Sequence, residues 1–336
     1  MKFATGALRA LSLAVIAPLL ASCGGQSLVA FNPARIIVFG DEASVIVAGS
    51  TPSDGRKYTI NAFDTTNNVV NCGSNAIWIQ VLALGYNISF PQCQLPADSR
   101  VVGQIRALAG AQAGGTGDID LTAQVTRQLA LAPVDGGGIT NTDLVTVYAG
   151  VNDIIAAFER YKAGASSDAV VADVEAAGET LANQVNRIAA AGGRVIVSTV
   201  PDVGVTPYAV SRTVDDAAQL TFLTGRFNAR MLVTINNNGR LIGLIELNPY
   251  LISVVANPLP YGIANATQAG CLPTDALKCT SQYDSLNPEL VLDATSTVPA
   301  SDPSYLWLWA TDLQLSPKGH AQLGNLALSR ASNQPF

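Results

Sequence analysis

Four mostly apolar runs, each closed by a turn residue, limit what this chain can fold into. They are Ala34–Phe39 before Gly40-Asp41, Asp143–Tyr148 before Gly150, Arg194–Val200 before Pro201, and Leu241–Leu247 before Asn248. None alternates polar with apolar, so each suits a strand buried on both faces, as in a parallel sheet. Helical patterns lie between and after them. From Ser167, which can cap the start, Val170, Val174, Ala177, Leu181, Val185 and Ile188 recur at steps of three or four until Gly192-Gly193. A second helix is expected from about Val214 to Ile235, with Leu220, Leu223, Phe227 and Met231 on one side. A third begins near Pro317 and carries Leu323, Leu326 and Ala327. Strands alternating with helices give an α/β fold with a parallel sheet, whose ligands sit at the carboxyl ends of the strands. Those ends hold Gly40-Asp41-Glu42, Gly150-Val151-Asn152-Asp153 and Pro201-Asp202.

The N-terminus reads as a processing segment. Lys2 and Arg9 precede an apolar run, Ala10–Leu20, which is too short to span a membrane, and Leu20-Ala21-Ser22-Cys23 follows. These four residues resemble a bacterial lipobox. The resemblance implies cleavage before Cys23 and a lipid on its sulfur, and Gly24 after the cysteine favours the outer membrane of a Gram-negative bacterium. The alternative is an ordinary secretory signal in which Cys23 is incidental. The expected organisation is a leader over 1–22, a lipid-anchored tether over 23–33 and one domain over 34–330. Within that domain, the irregular stretch 249–304 reads as an insertion.

Apart from Cys23, four of the five cysteines remain, an even number that in an oxidising compartment reads as two disulfides. Pairing Cys72 with Cys93 and Cys271 with Cys279 is the simplest of three connectivities. Neither cysteine spacing nor the single histidine, His320, supports a metal site, and no cofactor is expected. Net charge is -6 and no Lys/Arg cluster is present, which argues against a nucleic-acid partner.

Val38-Phe39-Gly40-Asp41 and Tyr148-Ala149-Gly150-Val151-Asn152-Asp153 resemble the first and third sequence blocks of the GDSL/SGNH hydrolases, a lipase and esterase family. Ala109-Gly110-Ala111, followed by Leu121–Val125, looks like the second block. Val200–Gly204, Asn257–Asn265 and Leu315–His320 look like later segments. The resemblance implies a flavodoxin-like three-layer sandwich with a five-stranded parallel sheet. It also implies a serine nucleophile after the first strand, a C-terminal histidine base oriented by an aspartate three residues earlier, and an oxyanion held by a glycine N–H and an asparagine amide.

The oxyanion donors carried over by position are Gly110 and Asn152. The serine slot holds Glu42, the histidine slot Gln314 and the aspartate slot Thr311, with Asp312 beside it. Glutamine cannot titrate, so it cannot shuttle a proton. Ser44 is a displaced nucleophile or a helix-start cap, Glu42 a carboxylate nucleophile or an acid at a helix N-terminus, and Asp153 a base or a cap. Asp202 with Asp312 is a paired-carboxylate candidate that no spacing supports, and Trp307 and Trp309 read as packing or rim aromatics. Two functions follow: a membrane-anchored pseudoenzyme that binds an acyl or lipid ligand, or an ester hydrolase with a non-standard site.

Overall fold

The computed structural model describes residues 31–64, 67–132, 137–271, 276–284, 287–292 and 306–333. The leader 1–22, Cys23 and most of the tether lie outside these residues. Five strands form one parallel sheet: β1 (Arg35–Gly40), β2 (Gln104–Ile105), β3 (Asp143–Tyr148), β4 (Arg194–Ser198) and β5 (Ile242–Ile245), in the order β5-β4-β3-β1-β2. Every residue of β1 and β3 is buried, as their continuous apolar runs require. β1 and β3 pair from Arg35 opposite Asp143 to Gly40 opposite Tyr148. At the start of that ladder Arg35 and Asp143 form a two-pronged ion pair, Nε–Oδ1 2.8 Å and Nη2–Oδ2 2.9 Å. Nη2 also donates to the carbonyls of Gly137 and Gly138, so the buried guanidinium has several partners beside its counter-charge.

Helices cover both faces. Those used below are α1 (Trp78–Leu84), α2 (Leu121–Ala130), α3 (Val151–Lys162), α4 (Ser167–Ala190), α5 (Val214–Thr234), α6 (Leu247–Ala256) and α7 (Pro317–Ser332). The apolar stripe of α4 and the Leu220, Leu223, Phe227 and Met231 face of α5 join Ile37, Phe39, Val145 and Val147 in one core. Each fully buried aliphatic side chain there contributes about 1.5–3 kcal/mol relative to exposure. Ile36 and Val38 alternate to the other side, which α1 and α7 cover.

Three expectations need correction. The cap of α4 is Ser166, whose hydroxyl accepts from the Ala169 N–H, and Ser167 is the first helical residue. β4 and β5 stop two residues earlier than their apolar runs. The stretch 249–304 is not irregular throughout: α6 occupies its start, Asn265–Ala269 pairs in parallel with Trp307–Trp309, and Thr280–Asp284 pairs in parallel with Asn61–Asp64. The last pairing belongs to a small four-stranded sheet with Asn287–Leu292 on one edge and Val69–Val70 on the other. Both local disulfides, Cys72–Cys93 and Cys271–Cys279, are formed. No helix among the described residues is long and apolar enough to cross a membrane.

Candidate functional site

The ends of β1 and β3 create the site. Gly40 has φ +138°, and a Cβ there would lie 1.9 Å from the Tyr148 carbonyl oxygen, so only glycine lets β1 end this close to β3. The Gln124 side chain of α2 brackets Gly40, accepting from its N–H at 2.9 Å and donating to its carbonyl at 2.8 Å. Asp41 then caps a single 3₁₀ turn, Glu42–Ser44, by accepting from the Ala43 N–H. This turn aims the Glu42 side chain across the strand ends. Burial, and then the neighbouring Glu42 charge, hold the Asp41 carboxyl well above the usual carboxylate range.

Three segments far apart in sequence converge on the Glu42 carboxylate. Oε2 accepts from the backbone N–H of Gly110 at 3.0 Å and from Asn152 Nδ2 at 3.0 Å. Oε1 accepts from Gln314 Nε2 at 3.1 Å. Gln314 is oriented in turn by Thr311, whose hydroxyl donates to Gln314 Oε1 at 3.1 Å. Glu42, Gln314, Thr311, Gly110 and Asn152 are thus brought together in one hydrogen-bonded set. All three donors to the carboxylate are neutral amides.

The donors are held independently of Glu42. Asn152 Nδ2 also donates to the Ala111 carbonyl at 3.0 Å. Asp153, the next residue of α3, accepts from the N–H groups of Ala113 at 2.7 Å and Gly114 at 2.8 Å. Asp153 is therefore neither a free base nor the cap of α3, because its carboxylate anchors the loop that carries Gly110. Burial pushes that carboxyl up to about 6, against the two N–H bonds. Gly110 itself has φ +77°, which turns its N–H toward the carboxylate.

The space left beside Glu42 is small. A cavity of about 20 Å³ is lined by Asp41, Glu42, Tyr148, Trp309, Leu313 and Gln314, among others. That is room for about one water, whereas small-molecule pockets run to hundreds of cubic ångströms.

The remaining candidates sit elsewhere. Ser44 is fully buried and accepts from the Trp78 indole Nε1 at 3.2 Å, so it neither caps the turn nor opens onto the site. His320 is also fully buried, and its Nδ1 accepts from the Trp78 backbone N–H at 3.4 Å. Burial first, and then the Lys57 charge, push its imidazole down to about 3. Asp202 is engaged by Thr221 Oγ1 at 2.9 Å and by the Gly204 N–H at 2.8 Å, and Asp312 is exposed. Trp307 and Trp309 are buried, and only Trp309 borders the cavity. Among the described residues no group of three His, Cys, Asp or Glu side chains is placed to hold a metal ion.

Sequence reasoning missed Lys57 and Trp78. Lys57 is completely buried and donates to the carbonyls of Cys72, Ser74 and Asn75 at 2.8, 2.7 and 2.9 Å. Nothing in the sequence around Lys57 distinguishes it from a surface lysine.

A parallel α/β sheet thus carries three amide donors gathered at its carboxyl edge. The chain belongs to the GDSL-like lipase/acylhydrolase family, which matches residues 46–288, well over half of its length. That match starts after Glu42 and ends before Thr311. No curated protein matches the chain. Among solved structures it is similar to an extracellular lipase from Streptomyces rimosus (15% identity, 89% of this chain and 99% of that one, TM-score 0.40). It is also similar to an acetylxylan esterase from Geobacillus stearothermophilus (11% identity, 91% and 98%, TM-score 0.41). A third is phospholipase A1 from Streptomyces albidoflavus (12% identity, 89% and 99%, TM-score 0.39).

Proposed function

We propose that this chain is a pseudoenzyme of its family, with Glu42, Gln314 and Thr311 in the positions of the serine, histidine and aspartate. The observation that carries this reading is the Glu42 carboxylate lodged on Gly110 N and Asn152 Nδ2. Those two donors are the ones an ester oxyanion would need. A substrate carbonyl cannot use them while Glu42 does. Gln314 adds a second obstacle, since an amide side chain can orient a partner but cannot carry a proton at neutral pH. Loss of nucleophile and base together costs about 10⁴- to 10⁶-fold in rate in a triad enzyme.

The competing reading, hydrolysis through Glu42 as nucleophile, meets the same geometry. Attack by one Glu42 oxygen would require the acyl oxygen to be held by donors that Glu42 already occupies. Short-chain aryl esters assayed with the mature domain and with Glu42→Ala decide between them. Background rates for both proteins are expected. Turnover by the native domain that disappears with Glu42→Ala would sink the pseudoenzyme reading.

The leader, Cys23 and two disulfides support an exported protein tethered to a membrane by lipid, with the outer membrane as the proposed site. Cys23→Ser should shift the protein from the membrane to the soluble fraction. If the fractionation is unchanged, the anchor is wrong. An acyl or lipid ligand in the cleft would require Glu42 or its neighbours to move, because the space beside Glu42 is about 20 Å³.

A further inference from the structure

We propose that the cradle formed by Gly110, Asn152 and Gln314 is a carboxylate-binding site that this chain fills with its own Glu42, and that it accepts free short-chain monocarboxylates once that side chain is shortened. The proposal rests on the reading of Glu42 as an occupant, not a nucleophile.

Three observations carry it. The two oxygens of Glu42 are divided among three N–H donors at 3.0–3.1 Å, an arrangement that satisfies a carboxylate on both oxygens. The donors keep their places through ties that do not involve Glu42: Asn152 to Ala111, Asp153 to Ala113 and Gly114, and Thr311 to Gln314. A preorganised donor set binds without spending free energy on ordering itself. Finally, the adjoining cavity holds about a water, so the space released by shortening Glu42 is close in shape to the atoms removed.

Tethering favours Glu42 over any free acid in the native chain. A side chain held beside its donors has an effective concentration in or above the millimolar range. A free carboxylate at similar concentration does not displace it.

The deleted atoms dictate which acid fits each variant. Glu42→Ala removes one methylene and the carboxylate, the equivalent of acetate. Glu42→Gly removes two methylenes and the carboxylate, the equivalent of propionate. The melting temperature of each variant is measured against increasing acetate, propionate, acetamide and propionamide. A saturable rise with acetate is expected for Glu42→Ala and with propionate for Glu42→Gly. The neutral amides and the native protein should show none, and adding Asn152→Ala should abolish the response.

Equal shifts for acid and amide, equal shifts in native protein and variants, or no shift at all would overturn the proposal. If a variant does not fold alone, the yield of refolded protein with and without its matched acid is the readout. A variant that remains unfolded with both acids overturns it as well. Ester turnover by the native domain that disappears with Glu42→Ala would remove the pseudoenzyme reading and the occupant reading together, whereas absent melting shifts without turnover would remove the carboxylate site alone.

Discussion

Gln314 and Glu42, 272 positions apart in sequence, meet through a single hydrogen bond of 3.1 Å from the Gln314 amide to the Glu42 carboxylate. Thr311 stands behind Gln314, so hydroxyl, amide and carboxylate form a chain of donation in one direction. On the proposed pseudoenzyme reading, these three side chains stand where a triad would, without a group that can carry a proton.

Restoring that chemistry is expected to need all three exchanges. Glu42→Ser alone frees the donors but leaves no base. The triple variant Glu42→Ser, Gln314→His, Thr311→Asp supplies nucleophile, base and orienting acid on a frame whose donors are in place. Hydrolysis of short aryl esters should rise at least about 10²-fold over the single Glu42→Ser variant, the lower end of what a positioned base contributes. A folded triple variant with no gain would show that the donors do not match an ester oxyanion.

Asp153 and His320 are expected to tilt stability in opposite directions with pH. The folded Asp153 carboxyl, raised to about 6, keeps its proton where the unfolded group has lost it, so its contribution is lost as pH rises through 6. The folded imidazole of His320, lowered to about 3, stays neutral where the unfolded group takes a proton. Its contribution is lost as pH falls from about 6.5 toward 3. Between about pH 4 and 6 the two offset. Urea unfolding across that window should show the native protein gaining on Asp153→Asn by about 1 kcal/mol per pH unit of acidification, and losing to His320→Gln by a similar slope. Slopes of the same sign would contradict the assignment of either burial effect.

How much of this was legible in advance depended on how local each feature is. β1 and β3 stand out because burial on both faces leaves no polar position in the run. β2 has two residues, half-buried at the sheet edge, and no pattern can form over that length. The strand Asn61–Asp64 takes its partner from Thr280–Asp284, a pairing more than two hundred positions away that alternation alone does not announce. The residues that meet at the site were legible through the family resemblance, carried over by position. That Glu42 turns into the cradle was not, because its direction is set by a 3₁₀ turn and by donors from three other segments. The sequence pattern puts the α4 cap on Ser167, and the backbone places it one residue earlier, on Ser166.

Lys57 yields a prediction of stability. Its ammonium is the donor to three carbonyls in the 72–75 segment, next to the Cys72–Cys93 disulfide. Burial pushes it down to about 7, yet every proton it carries has an acceptor. Lys57→Met removes the desolvated charge but leaves three carbonyls, one buried and two part-buried, without that donor. A loss of about 2–4 kcal/mol in urea unfolding is expected, with faster proteolysis between Asn71 and Ile77. An unchanged midpoint would mean that water replaces the ammonium in full.

The first turn of α3 places Asn152 and Asp153 on the same loop, one through the Ala111 carbonyl and the other through the N–H groups of Ala113 and Gly114. Neither tie runs through positions 42, 311 or 314. The ties that hold Asn152 and Asp153 to this loop and the side chains at 42, 311 and 314 are therefore separable parts of the molecule.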